Sequence, residues 1–434
     1  MKRAAPLVLL MSLYVGCSQK AASETPDAAL APAGSFCSLP GSVVFTAAGP
    51  RVVPGADASA PSLAWLSLPV GFCAHHFATL GNTRQLRFAP DGRLFAASPT
   101  QSAMGGASHA GIASIVVLPD DDQDGVADRN VTYLGQLPST QGLLFTGGHL
   151  YFQDDVTIRR VPFASGDLSP SGPVQAVTTI TQPQDPHHWP KVMDVARDGT
   201  IYVTNGGAQG DACLSTNPTR GCILKLAGAA TTVVAKGLRN PIALRCEPDH
   251  DVCLAAELGL DFSANRYGRE KIVPVRAGDD WGYPCCATKN TPYEGVVYTD
   301  TQATPDCSAV AQENVELVIG HTPFGLDFER GKWPAPWGGR VFVTLHGDFE
   351  NWQGARVVGV ALDPATGLPL PASDLDGGSS PNMSDFATGW DDGHMDHGRP
   401  AAITFAKDGR LFVGDDQAGA IIWIAPVDLA PYSK

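Results

Sequence analysis

Charge is scarce in this chain, and positive charge is scarcer. Charged residues make up 17% of its 434 residues, against about 25% in an average soluble domain. Thirty Lys and Arg face 44 Asp and Glu, a formal net charge of −14. That balance excludes nucleic acid as a partner, because phosphate binding needs a basic surface. No GxxxxGK[ST] loop is present, and no GxGxxG follows a strand and opens a helix, so nucleotide and nicotinamide chemistry have no support. HExxH and GxSxG are also missing, which removes the zincin and α/β-hydrolase readings. The ten cysteines contain no CxxC pair, which speaks against zinc.

Long apolar runs are missing too, apart from one at the start. Lys2-Arg3 precedes an apolar stretch over 4–15 and then Gly16-Cys17. A charged n-region and an h-region too short to span a bilayer predict a lipoprotein-type signal peptide over 1–17, with Cys17 lipidated after cleavage. An ordinary secretory signal cut further on is the alternative. Residues 18–36, rich in Ser, Ala and Pro, are expected to form a flexible tether. The expected location is a bacterial membrane, lipid-anchored and facing the periplasm or cell exterior. The remaining nine cysteines would then meet an oxidising compartment. Cys246 and Cys253 flank a hairpin turn, Cys213 and Cys222 flank a polar loop, and Cys37 is expected to meet Cys73. One of Cys285 and Cys286 is expected to meet Cys307, leaving the other unpaired.

Glycine and proline are abundant, 47 and 35 residues, and favour many short strands joined by turns. One pattern recurs six times: an apolar strand, a turn, then an alternating strand. It occupies 86–98, 143–153, 193–205, 242–257, 326–347 and 403–416, mostly with Asp-Gly or Gly-Gly at the turn. A lone hairpin cannot bury its apolar face, whereas a ring of small sheets can and leaves only short edges. The expected fold is all-β, a six-bladed β-propeller over 37–430 with loop insertions near 260–325 and 364–400 on one face. A sandwich or two smaller β-domains is the alternative.

Several segments carry a more specific signal. Gly-Leu-Arg239-Asn240-Pro is followed by a strand ending Glu257-Leu-Gly259, then by Gly-Asp-Asp-Trp-Gly-Tyr-Pro over 278–284. Arg84-Gln85 precedes the first hairpin and His187-His188-Trp189-Pro-Lys191 the third. Leu-His346-Gly347, His397-Gly-Arg399-Pro and Gly-Asp415-Asp416 come later. In this order the motifs resemble the glucose/sorbosone dehydrogenase family, over about residues 70–425. The resemblance implies oxidation of an aldose, sorbosone-like aldehyde or related polyol by pyrroloquinoline quinone (PQQ) with Ca²⁺. It implies His188 as the base, with His187 as rival, and Gln85, Lys191, Arg239, Asn240, Arg356 and Arg399 around the cofactor. The Ca²⁺ would be held by the carbonyls of Gly259 and Leu260, where relatives have Pro in place of Leu260. Electrons would leave to a cytochrome or membrane quinone.

The physical chemistry is compatible. PQQ is a flat trianion, and Arg gives planar, bidentate recognition of carboxylates. Ca²⁺ accepts carbonyl oxygens in flexible geometry, and a neutral imidazole is a suitable base near neutral pH. A separate acidic loop, Asp120-Asp-Asp122-Gln-Asp124-Gly125-Val-Ala-Asp128, follows the pattern of a calcium loop without its distal Glu. Its ion would be structural. Two rival functions remain: a gluconolactonase-like hydrolase with one Ca²⁺ on Glu257, Asn205 and Asp415, and a non-catalytic surface propeller that binds a glycan or protein.

Overall fold

The computed structural model describes residues 31–55, 61–100, 114–137, 139–180, 188–207, 221–247, 249–261, 267–293, 305–348, 351–375, 380–393 and 397–430. Cys17, His187, Cys213 and the expected signal peptide and lipid anchor lie outside them. Phe36–Ser38 forms a single 3₁₀ turn, and among the described residues no helix is long and apolar enough to cross a membrane.

Six antiparallel sheets surround one axis. Blade 1 is Gln85–Phe88, Leu94–Ser98, Ser114–Leu118 and Val131–Leu134, counted from the axis outward. Blade 2 is Leu143–Thr146, His149–Asp154, Thr157–Pro162 and Gln175–Thr179. Blade 3 is Met193–Val195, Ile201–Asn205, Cys222–Ala227 and Ala230–Lys236. Blade 4 is Asn240–Glu247, Val252–Leu258, Glu270–Pro274 and Val315–Leu317, with Ala372–Ser373 added in parallel at its rim. Blade 5 is Pro323–Phe328, Arg340–Leu345, Arg356–Ala361 and Met383–Ala387. Blade 6 joins Pro400–Phe405, Leu411–Asp415 and Ala420–Pro426 to Phe72–Thr79 from the other end of the chain, with Val43–Thr46 and Gly49–Val52 outermost.

Each recurring hairpin of the sequence is the inner pair of one blade. In blades 1, 3 and 6 the turn repeats atom for atom. Gly92, Gly199 and Gly409 donate to the carbonyls of Ala89, Ala196 and Ala406 at 3.0, 2.9 and 3.0 Å. The preceding Asp91, Asp198 and Asp408 each accept the N–H two residues on. The three glycines have φ near +90 to +100°, which a side chain disfavours.

Apolar packing follows the seams between blades. Six main clusters fill the six interfaces, for example Phe95, Leu143 and Leu150 between blades 1 and 2, and Leu254, Leu326 and Val343 between blades 4 and 5. The seam between blades 5 and 6 is the most aromatic, with Trp333, Phe342, Phe386, Phe405 and Phe72 in mutual ring contact. Flat sheets facing one another need such filling to exclude voids.

Disulfides join Cys37 to Cys73, Cys246 to Cys253 and Cys286 to Cys307. Cys285 is disulfide-bonded as well, so the expectation that one of Cys285 and Cys286 stays unpaired does not hold. Cys222 is a buried thiol, its pKa pushed up to about 12 by burial.

Candidate active site at one end of the axis

The inner strands all start at the same end of the axis. In each hairpin the second strand finishes beside the start of the first, as Asn240 opposite Leu258 and Pro400 opposite Asp415 illustrate. Residues just before an inner strand and just after a second strand therefore converge at one mouth. Those are the positions of Arg84, His188, Lys191, Arg239, Asn240, Gly259, His346, Arg399 and Asp416.

Arg84 floors this mouth. Its guanidinium lies 4.2 Å from the Phe324 ring centroid and 5.8 Å from that of Trp189. Nη1 donates to Asp416 at 2.7 Å and Nε to Gln141 at 3.4 Å. One side chain thus links blades 2, 3, 5 and 6 across the axis. Beneath it the channel narrows to a void of about 20 Å³ lined by inner-strand residues.

Asp416 also accepts from His346 Nε2 at 2.8 Å. His346 and Arg84 outweigh its burial and hold the Asp416 carboxyl well below the usual range. Burial, with Arg399 and Arg84 nearby, pushes His346 down to about 4, so its ring is neutral at pH 7. Arg399 donates through Nε to the His346 carbonyl at 2.9 Å and through Nη2 to the Gly347 carbonyl at 2.6 Å. Burial lowers its pKa to about 10, which still leaves it cationic. A desolvated cation held mainly by neutral carbonyls is poised to gain from a nearby anion.

On the other side, His188, Arg239 and Asn240 form one group around Gly206 and Gly207. His188 Nδ1 bonds the Gly207 carbonyl, and the Gly207 N–H donates to the Arg239 carbonyl at 2.5 Å. A carbonyl only accepts, so the neutral ring carries its proton on Nδ1 and its lone pair on Nε2. A Cβ added to Gly206 would lie 2.8 Å from the His188 Cβ and 3.1 Å from Asn240 Oδ1. Arg239 Nη1 donates to the Gly259 carbonyl at 2.7 Å, and the guanidinium forms a fork with Asp261 at 3.2 and 2.5 Å. Leu260 packs against Tyr283, Ala287 and Tyr293. Glu257 is fully buried, 3.8 Å from Lys271, and burial outweighs that cation to push its carboxyl up to about 7.

The other expected site residues have their side chains engaged by partners of their own. Gln85 accepts the Leu143 N–H at 2.7 Å and ties blade 1 to blade 2. Lys191 donates to Asn205 at 3.0 Å within blade 3 and is lowered to about 8 by burial. Arg356 opens the third strand of blade 5, where it bonds Asp374 at 2.8 Å, Asp385 at 2.7 Å and the Gly354 carbonyl at 2.9 Å. The acidic loop lies at the seam of blades 1 and 6. Carboxylate oxygens of Asp120, Asp122 and Asp124 approach within 4.8 Å of one another, while Asp128 accepts the Asp121 N–H instead. Burial, reinforced by Asp124 and Asp122 against Arg410, raises Asp120 to about 6.

Arg84, Trp189 and Asp416 were not among the expected site residues, although each lies in a motif quoted for the family resemblance. Their signal was position, immediately before an inner strand or after a second one. Among the described residues, Arg239 Nε, Trp189 Nε1, Asn240 Oδ1 and both Glu257 oxygens are buried without hydrogen-bond partners. Buried polar atoms are ordinarily paired, so such a group of unpaired ones marks a place where a ligand would supply the partners.

Solved structures with the same architecture carry sugar chemistry in their names. The holo form of the pyranose dehydrogenase PQQ domain from Coprinopsis cinerea superposes with a TM-score of 0.66 at 15% identity, covering 85% of this chain and 98% of that one. The chain has the propeller fold of the sugar dehydrogenases. The iodide structure of the Trichoderma reesei Carbohydrate-Active Enzymes Family AA12 protein gives a TM-score of 0.67 at 17% identity, covering 86% of this chain and 99% of that one. The PQQ-bound aldose sugar dehydrogenase from Streptomyces coelicolor gives 0.53 at 14% identity, covering 83% and 100%. By sequence, residues 60–234 match a domain of unknown function, DUF7133. No curated protein matches the chain by sequence.

Proposed function

We propose that the chain is an exported PQQ- and Ca²⁺-dependent dehydrogenase of an aldose, sorbosone-like aldehyde or related polyol. The observation that carries this reading is the set of buried cations and unpaired polar atoms at one mouth of the axis. Arg239 with its unpaired Nε, Asn240 and Arg399 fit a flat polycarboxylate, and the carbonyls of Gly259 and Leu260 fit a hard cation beside it. Bound there, PQQ supplies a two-electron acceptor for the substrate C–H hydride and Ca²⁺ a Lewis acid.

The chain's own residues do the rest. His188 takes the substrate hydroxyl proton at Nε2, its tautomer fixed by the Gly207 carbonyl. Arg84, held by Asp416, closes the channel below and excludes water from the floor. Arg356 is not assigned to the cofactor, because it opens the third strand of blade 5, outside the ring of inner strands, and is held there by Asp374 and Asp385. The Asp120–Asp124 loop would hold a structural Ca²⁺ at the seam of blades 1 and 6. Disulfides support export to an oxidising compartment, with anchoring through Cys17 and electron delivery to a cytochrome or membrane quinone.

The test is a calorimetric titration of the purified protein with PQQ and Ca²⁺, followed by absorbance scans with a panel of aldoses. Tight binding and sugar-dependent bleaching of the quinone are expected. No binding at cofactor concentrations far above micromolar would remove the quinoprotein reading.

A further inference from the structure

An off-axis cavity of about 390 Å³ lies at the seam of blades 4 and 5. This is within the range of small-molecule sites, roughly 300–1,000 Å³. Its polar walls come from His321, Gln353, Arg356, Asp374, Asp385 and Asp391. His321 lies just before the inner strand of blade 5, Arg356 opens the third strand, and Asp374 follows the rim strand of blade 4. All three are strand ends at the mouth end of the axis. Gly347 connects the two places, its carbonyl accepting from Arg399 at 2.6 Å and its N–H donating to the His321 carbonyl at 3.0 Å.

The walls are fixed by bonds among themselves. Asp374 accepts from His321 Nδ1 at 2.5 Å and from Arg356 Nη2 at 2.8 Å. Arg356 Nε donates to Asp385 at 2.7 Å and Nη1 to the Gly354 carbonyl at 2.9 Å. Asp391 accepts the Gly354 N–H at 2.6 Å. A carboxylate only accepts, so a neutral His321 ring carries its proton on Nδ1 and a lone pair on Nε2. Gly354 leaves room beside that atom, since a Cβ there would stand 2.7 Å from it. The backbone around the cavity is strained, with Thr322 at φ 55° and Trp352 at φ 61°. Non-glycine residues keep such angles where the surroundings over-determine them, and they cluster at ligand sites.

The groups left open decide the ligand. Among the described residues, His321 Nε2, Asp385 Oδ2, Asp391 Oδ1 and the Gln353 amide take no protein hydrogen bond. Three carboxylates oppose an anion, and Arg356 in the same wall opposes a cation. The acidic side chains here do not converge as metal ligands, in contrast to Asp120, Asp122 and Asp124. An uncharged molecule with several hydroxyls, each able to donate and accept, matches this set.

We propose that this cavity binds a neutral sugar unit off the axis, at a site separate from the candidate active site. Asp385, Asp391 and Gln353 bond its hydroxyls, and His321 Nε2 accepts from one more. The site needs no quinone, so it stands whether or not PQQ binds at the axis.

The methyl β-D-pyranosides of glucose, galactose and xylose, titrated separately into the PQQ-free full chain by saturation-transfer NMR, test the proposal. Saturable binding of at least one is expected. It should weaken about tenfold in Asp385→Ala and about threefold in Gln353→Ala. His188→Ala, at the axis, should leave the affinity within about twofold. Circular dichroism checks the fold of Asp385→Ala, and if that variant is unfolded, Gln353→Ala, an exposed position, decides. The proposal fails if none of the three glycosides binds at roughly 50 mM. It fails equally if the cavity variants bind as the wild type does, or if His188→Ala removes the binding, which would place the sugar at the mouth. The PQQ titration is read separately, so failure of the quinoprotein reading and failure of this site are distinct results.

Discussion

Asp327→Asn should be among the most damaging single substitutions in the molecule. Asp327 is 0% exposed and sits on the inner strand of blade 5. It accepts a fork from Arg245 of blade 4 at 2.9 and 2.6 Å, and the Thr404 hydroxyl and Phe405 N–H of blade 6 at 3.2 and 2.8 Å. One carboxylate thus ties three blades. Burial acts to raise its pKa, but Arg245 and Arg330 prevail and bring it down to about 2. A carboxyl lowered by nearly two units contributes about 2 kcal/mol of stability above the unfolded pKa near 4. That contribution is lost as pH falls through 2. The amide also leaves Arg245 buried beside a neutral partner, so the total cost at pH 7 is about 3–5 kcal/mol. Equilibrium unfolding in guanidinium chloride at pH 7 measures it, and a series down to pH 2 should show the gap between wild type and variant narrowing. A cost below about 1 kcal/mol at pH 7, or a gap independent of pH, would refute the reasoning.

Four further outcomes are expected. His188→Ala should lower kcat by roughly 10²–10⁴ with PQQ affinity kept within about twofold, read from steady-state kinetics and calorimetry; equal loss of both would make His188 part of the cofactor cradle. Arg399→Ala should weaken PQQ binding more than about tenfold and Arg356→Ala less than about twofold, and the reverse ranking would return Arg356 to the cofactor. Chelation should lower the Tm of the wild type and have little effect on Asp122→Asn, whose acidic loop has lost a ligand; equal shifts would place the structural ion elsewhere. Glu257→Gln removes a carboxyl whose pKa is raised to about 7. Its folded-state ionisation penalty is absent below pH 4, grows towards 7 and reaches about 3 kcal/mol, so the stability of the variant relative to wild type should rise across that window.

The ring was legible because turn chemistry repeats where the backbone needs it. Ala-Pro-Asp91-Gly92, Ala-Arg-Asp198-Gly199 and Ala-Lys-Asp408-Gly409 form the same turn because Asp accepts locally and Gly adopts positive φ. The mouth was legible in part. Arg239, Asn240, His188 and Arg399 lie at strand starts, and strand starts converge at one end of a propeller. The direction of a long side chain is decided by its neighbours and cannot be read from its place in the chain. Gln85 turned to an N–H on blade 2, and Arg356 to Asp385 on its own blade and Asp374 at the rim of blade 4. Arg84, one residue from Gln85, crosses the axis because Asp416 and the Phe324 ring wait there. The expectation that one of Cys285 and Cys286 stays unpaired failed because pairing depends on which cysteines folding brings near, which spacing alone does not reveal.

Blade 6 has a consequence for how the protein comes into being. Its fourth strand, Phe72–Thr79, pairs with Ala420–Pro426, so the first part of the propeller must wait for the last. Until then Phe72–Thr79 is paired on one side only, with Val43–Thr46, and its other edge is open to pairing with other chains. Contacts of this sequence separation belong to slow folding. A chain cut short by a single blade would leave an open arc prone to aggregation, and only a complete translation product can assemble.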